Sequence, residues 1–136
     1  MDIEVIPVRT KTDLKSFILF PWKIYKENKY WVPPLINDLK KTLMPLINPE
    51  TKNKECELYL AFLNGKPAGR IFTGFDEMLN RKKNINMGFF SMFDCIDNIE
   101  VAKAIFDKAF SWFKKYDISL IRGPVSIDGA DRDEYK

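Results

Sequence analysis

The sequence predicts an α+β domain with a mostly antiparallel sheet and one parallel crossover. Three observations point there. Two apolar stretches, Cys56–Leu63 and Lys66–Phe75, flank Asn64-Gly65, a dipeptide suited to a tight hairpin turn. A longer stretch carries Ala102, Ile105, Phe106, Ala109, Phe113 and Tyr116 at helical spacing. A short apolar stretch, Ser119–Val125, follows that helix. A strand-helix-strand passage of this kind sets its two strands side by side and parallel.

The remaining elements fall into order around these. Ile3–Val8 alternates enough to read as a first strand. Thr10 opens a capping-box-like start with Asp13 at the third helical position, and Leu14, Phe17 and Ile18 continue at helical spacing. Pro21 sits inside that pattern, so a break or kink near Phe20 is expected, with a short helix resuming over Trp22–Tyr25. Tyr30-Trp31-Val32-Pro33-Pro34 should be extended or turn-like, because Val32 and Pro33 each precede a proline. A second helix is expected from Leu35 or Ile36 to about Met44, followed by a loop from Pro45 through Asn48-Pro49 to Glu55.

In the hairpin, Leu58, Leu60 and Phe62 should share one face of the sheet. Asp76–Asn84 is polar and reads as helical or irregular. Asn86–Cys95, rich in Phe and Met, is the third strand of the meander. Asp97 with Glu100 suggests the N-cap of the long helix. The order is β-α-α-β-β-β-α-β. Residues 1–126 read as the domain and residues 127–136 as a polar, poorly ordered tail. No internal repeat or low-complexity segment is visible.

Composition excludes several chemistries. The chain has 136 residues, 46% of them hydrophobic and 14% aromatic, enough for one bulky core. Its net charge of +3 is too small to argue for nucleic acid. Lys40-Lys41 and Arg81-Lys82-Lys83 read either as solvated surface or as a patch for an anionic ligand. There is no histidine, so no Ser-His-Asp triad, Cys-His dyad or histidine metal site can form within the chain. Cys56 and Cys95 form no CxxC pattern, and no metal site is expected. The start MDIEVIPV lacks a basic leader, and no apolar run approaches the ~20 residues of a membrane helix. A cytoplasmic protein with neither nucleic-acid nor membrane partners is therefore expected.

Five stretches carry a family resemblance: Phe20-Pro-Trp-Lys-Ile-Tyr25, Tyr30-Trp-Val-Pro-Pro-Leu35, Gly69-Arg-Ile71, Gly88-Phe-Phe90 and Arg122-Gly-Pro124. In this order they resemble a family of bacterial GNAT-like proteins to which N-acetyltransferase activity is attributed. The resemblance runs from about Ile3 to Glu134. Family members are usually longer, so it implies a GNAT-like (acyl-CoA N-acyltransferase) fold whose C-terminal part is incomplete. One departure stands out. GNAT enzymes place an (R/Q)xxGx(G/A) turn before the long helix, where backbone N–H groups cradle the pyrophosphate of coenzyme A. Here that segment is Asp94-Cys-Ile-Asp-Asn-Ile-Glu100, with no glycine and three carboxylates.

The resemblance implies a set of site residues. Phe90, Ser91, Met92 and Phe93 lie on the strand whose backbone would pair with the pantetheine arm of acetyl-CoA or another acyl-CoA; a plainly buried strand is the alternative. Trp22, Tyr25, Tyr30 and Trp31 lie where GNAT folds border the acceptor pocket, with core packing or a protein-contact surface as alternatives. Asp94 is the candidate catalytic base, since Asp97 is accounted for as a cap. Arg70 and Arg122 suit an anion clamp, or a structural ion pair with Asp76 or Asp94. Cys95 reads as a small buried residue.

Two functional readings follow. One is acyl-CoA-dependent transfer to the amine of a small molecule or peptide, by direct attack on the thioester. The other is a non-catalytic GNAT-like binding or assembly module. An incomplete sheet would leave an open edge, and open edges invite pairing with a second copy.

Overall fold

A computed structural model of the chain describes residues 2–47 and 55–125. Nine elements run through them: β1 (Ile3–Pro7), α1 (Lys11–Tyr25), α2 (Ile36–Ile47), β2 (Cys56–Leu63), β3 (Lys66–Phe75), α3 (Glu77–Lys83), β4 (Met87–Cys95), α4 (Ile99–Lys115) and β5 (Leu120–Arg122). The expected order gains one short helix, α3. Most of the expected loop before Glu55 and the whole expected tail, residues 127–136, lie outside the described residues.

The five strands form one sheet in chain order, β1-β2-β3-β4-β5. The first three pairings are antiparallel, and β4 with β5 is parallel. The hairpin forms as expected: Asn64 and Gly65 take φ of 51° and 82°, the left-handed region a primed turn needs.

Strand alternation divides the core. On one face Leu58, Leu60 and Phe72 pack with Val8, Leu14, Phe17, Ile18, Leu43 and Ile47, beneath α1 and α2. On the other, Tyr59, Ala61 and Ile71 pack with Val101, Ile105, Ala109, Trp112 and Phe113 of α4. Val101 and Trp112 join the stripe read from the sequence, whereas Phe106 and Tyr116 are only partly buried. Gly69 and Gly88 lie under α4, where a Cβ would run into Ile105 and Phe113.

Proline breaks neither helix in which it stands. α1 runs unbroken through Pro21 to Tyr25. Pro21 has no N–H, so the Phe17 carbonyl four residues back loses its helical donor. Arg70 of β3 takes that place, with Nη1 donating to the Phe17 carbonyl over 2.8 Å. α2 likewise continues past Met44 through Pro45 to Ile47, because Leu43 and Ile47 keep its apolar face in the core. The carbonyl vacated there belongs to exposed Lys41, where water can serve as donor.

Asp76–Asn84 takes the helical of its two expected readings, and two other boundaries differ from expectation. Asp76 caps α3, accepting from the Leu79 N–H, and left-handed Asn84 closes it. The cap of α4 is Asn98, not Asp97. The Ile96 N–H still reaches back to Ala68, and the Asn98 N–H turns onto the Ile96 carbonyl. The helix therefore starts one residue later, with Asn98 Oδ1 accepting from Glu100 and Val101. β5 is shorter than Ser119–Val125, since Gly123-Pro124 interrupts strand pairing after Arg122.

Candidate functional site

The residues expected to meet an acyl donor sit on an irregular part of β4. Arg70 pairs with Asp94 and Phe72 with Ser91, so Met92 and Phe93 together face the single residue Ile71. This is a β-bulge, and it places Met92 at φ 53°. A left-handed non-glycine residue costs on the order of 1 kcal/mol and persists only where its surroundings impose it. Here Met92 packs toward the α1–α2 core, while Phe90 and Phe93 face α4 and stack around Phe106.

The bulge coincides with the end of parallel pairing. β5 pairs with β4 only over Met87–Phe89. Beyond that, the Val125 N–H donates to the Phe90 carbonyl at 3.0 Å and the Ser91 hydroxyl donates to the Val125 carbonyl. Ser91 is accordingly buried. From Met92 to Cys95, no strand pairs with the side of β4 facing away from β3, among the described residues. Bulge and unpaired edge thus occupy the same few residues.

Asp94 lies just past the bulge in a buried ion pair. Arg70 donates to its Oδ2 from Nε at 3.1 Å and from Nη2 at 2.9 Å. The Tyr25 hydroxyl donates to Oδ1 at 2.9 Å. Arg70 is 5% exposed, and its donors are divided between Asp94 and the Phe17 carbonyl. Burial pulls the guanidinium down from its usual range, and Asp94 opposes that shift. Burial, then the bond to Asp94, raises Tyr25, so its hydroxyl keeps its proton at neutral pH. Asp94 therefore accepts three hydrogen bonds, which suits a positioning role better than it suits proton abstraction.

Three of the four aromatics expected at the acceptor side come together. The Trp22 and Trp31 rings meet edge-on at 5.1 Å, and Tyr25 lies 5.9 Å from Trp31. Through the Tyr25 hydroxyl this cluster touches Asp94. Tyr30 does not join it: it is 82% exposed, with the Lys29 ammonium 5.2 Å from its ring centre.

The end of β4 opposes a phosphate-binding turn. The first N–H groups of α4 are engaged by Asn98, and Asp97 and Glu100 flank them. Burial pushes the Cys95 thiol up, which leaves it protonated and a poor nucleophile.

A separate cleft of about 900 Å³ lies at the other end of α4, with Arg9, Glu57, Tyr59, Lys108, Trp112 and Tyr116 in its wall. Arg9 grips Glu57 there with two bonds, of 2.6 and 2.8 Å. None of the expected site residues reaches it. Sequence reasoning missed Arg9, Glu57 and Asn98; for Arg70 it offered an ion pair with Asp76 or Asp94 beside the anion clamp, and the pair with Asp94 forms. Pro21 was the available signal for Arg70, since its vacated carbonyl requires a donor from elsewhere. No group of acidic or cysteine side chains suited to a metal ion occurs among the described residues. No helix among them is long and apolar enough to cross a membrane.

Comparison with known proteins bears on the fold. No protein-family model matches the sequence. The chain is 34% identical over 118 residues to protein YghO of Escherichia coli, covering 87% of this chain and 30% of that protein. It is 29% identical over 127 residues to the bacterial ceramide synthase of Caulobacter vibrioides, covering 93% of this chain and 33% of that one. The chain thus spans about a third of the length of these curated relatives. Among solved structures, a predicted acetyltransferase from Clostridium acetobutylicum, solved with acetyl-CoA, superposes with a TM-score of 0.65 at 11% identity, over 98% of this chain and 88% of that one. Other acetyltransferases, one of them assigned to the GNAT family, superpose over most of the chain. The chain thus has a GNAT-like fold, the fold of these acetyltransferases.

Proposed function

We propose that the chain carries the donor-side half of an acyl-CoA-dependent N-acyltransferase. One observation carries the reading: the bulge at Met92 and the unpaired edge of β4 from Met92 to Cys95 coincide beside the parallel partner β5. An extended pantetheine arm is strand-like, and such an edge offers it backbone donors and acceptors. A backbone N–H at the bulge would then polarise the thioester carbonyl. The acceptor amine nitrogen attacks that carbon, the C–S bond breaks, and coenzyme A leaves as thiol with the proton the amine loses. Asp94, held by Arg70, fixes Tyr25 beside Trp31 and Trp22 at the acceptor side. The acceptor class we favour is an amine on an amphiphile. The support is the aromatic cluster, together with the ceramide synthase relative.

A second reading has its own observation. Asn98 already occupies the first N–H groups of α4, and Asp94, Asp97 and Glu100 surround the place where a pyrophosphate would sit. This favours a GNAT-like module without catalysis. The two readings separate in a thiol-release assay with acetyl-CoA and a long-chain acyl-CoA, each offered with small, peptide and sphingoid amines. Amine-dependent thiol release with formation of an amide supports the transferase. A rate no higher than that of the amine alone, for every pair, contradicts it.

A further inference from the structure

Exposed apolar residues on a folded domain are ordinary when scattered and informative when contiguous. Met78 stands on α3, Ile99 and Phe110 about three turns apart on α4, and Leu120 on β5, so none of them adjoins another in sequence. Tyr30 (82% exposed), Val32 (83%), Leu35 (71%) and Ile36 (36%) fall within seven consecutive positions between α1 and α2. The segment is built to hold them out. The Asn28 N–H bonds to the Tyr25 carbonyl, the Tyr30 N–H to Asn28 Oδ1, and the Trp31 N–H to the Asn28 carbonyl. Trp31 packs inward on Trp22 and Tyr25, anchoring the loop. Pro33 and Pro34 then keep the next residues extended, so little chain entropy remains to be lost on docking.

Charge singles out the same surface. Residues 20–47 contain five lysines, Lys23, Lys26, Lys29, Lys40 and Lys41, against two acids, Glu27 and Asp38. The whole chain has a net charge of +3, so this segment holds the entire excess and the rest is balanced. Two of the lysines flank the apolar tip, Lys29 over the Tyr30 ring and Lys40 one turn along α2 from Ile36, whereas Lys23 donates to the Pro67 carbonyl.

We propose that the Tyr30–Ile36 segment is a membrane-docking surface for an anionic lipid bilayer. An amphipathic tyrosine beside aliphatic residues and a lysine rim matches the water–lipid interface. The aliphatic side chains would enter the headgroup boundary, while the lysines answer the negative surface potential. This replaces the sequence expectation of no membrane contact. That expectation rested on the length of apolar runs, which excludes a spanning helix and says nothing of a surface seven residues long. Docking would bring the Trp22–Tyr25–Trp31 cluster close to the bilayer, yet it does not depend on acyl transfer, and the two are measured separately.

The test is flotation of the purified chain with phosphatidylcholine vesicles and with vesicles containing about 30 mol% phosphatidylglycerol. The wild-type chain should float with the anionic vesicles and not with the neutral ones. Val32→Ser with Leu35→Ser should lower that partition about tenfold, as should Lys40→Glu with Lys41→Glu. Both pairs are exposed, and unchanged circular dichroism would verify folding. The proposal is overturned if the wild type stays unbound at millimolar lipid, or if neither double variant changes the partition. It is equally overturned if Val32→Ser with Leu35→Ser instead dissociates a dimer in solution while vesicle binding is absent.

Discussion

Replacing Arg70 by methionine should be among the most damaging single changes to the domain. The guanidinium donates twice to Asp94 and once to the Phe17 carbonyl, and both side chains of the pair are largely buried. Methionine fills much of the same volume and donates nothing. Asp94 would keep only the Tyr25 hydroxyl, leaving a buried carboxylate without its countercharge. Breaking one side of a buried pair costs about 3–5 kcal/mol. The Phe17 carbonyl would lose the Arg70 donor that stands in for the helical N–H that Pro21 lacks, a loss within the same range because both share one side chain. Urea unfolding followed by circular dichroism reads the effect. With a slope of about 2 kcal/mol per molar, the midpoint should fall by about 1.5–2.5 M. Arg70→Met with Asp94→Leu removes both charges and should be more stable than Arg70→Met alone. A loss below about 1 kcal/mol in the single variant would refute the reasoning. So would a double variant less stable than the single one.

The other predictions are independent of that pair. Asn98→Ala should destabilise by about 1 kcal/mol by uncapping α4, whereas Asp97→Ala should stay within about 0.5 kcal/mol, both by urea unfolding; the reverse ranking would restore Asp97 as the cap. Burial, then the neighbouring Glu57, pushes the Tyr59 hydroxyl up to about 12 from 10.0. Its contribution to stability is complete below pH 10 and is lost as pH rises toward about 12. Absorbance titration of phenolate should show Tyr59 ionising late, with Tyr25 also raised, and Tyr59→Phe should remove the step near 12. Cys56 is buried and the Cys95 thiol is raised by burial, so both should react with a disulfide reagent at pH 8 more slowly than in the unfolded chain.

What could be read from the sequence was local and periodic. The hairpin needed only Asn64-Gly65 and two alternating strands, and α4 only its stripe from Ile105 to Phe113. The site was harder because its contacts join distant positions through an irregular register. An ion pair of Arg70 with Asp76 or Asp94 was legible, but the choice of Asp94 depends on a bulge that shifts β4 against β3 and leaves no mark on residues such as Ser91-Met92-Phe93. Pro21 was read by its local habit of ending helices. Its effect here is tertiary, a vacated carbonyl answered from β3. Tyr30 and Trp31 are adjacent and both aromatic, so composition could not tell that one anchors inward while the other faces solvent. Asp97 and Asn98 are both good caps, and the choice between them rested on one further sheet hydrogen bond, from Ile96 to Ala68.

The most direct measurement of the central claim is the amide chemical-shift response of the isotope-labelled chain to acetyl-CoA. A donor lying along β4 predicts saturable shifts centred on Phe90–Cys95 and Val125, below about 1 mM ligand. Absence of any response at that concentration would contradict it, as would shifts confined to the cleft around Arg9, Tyr59 and Trp112.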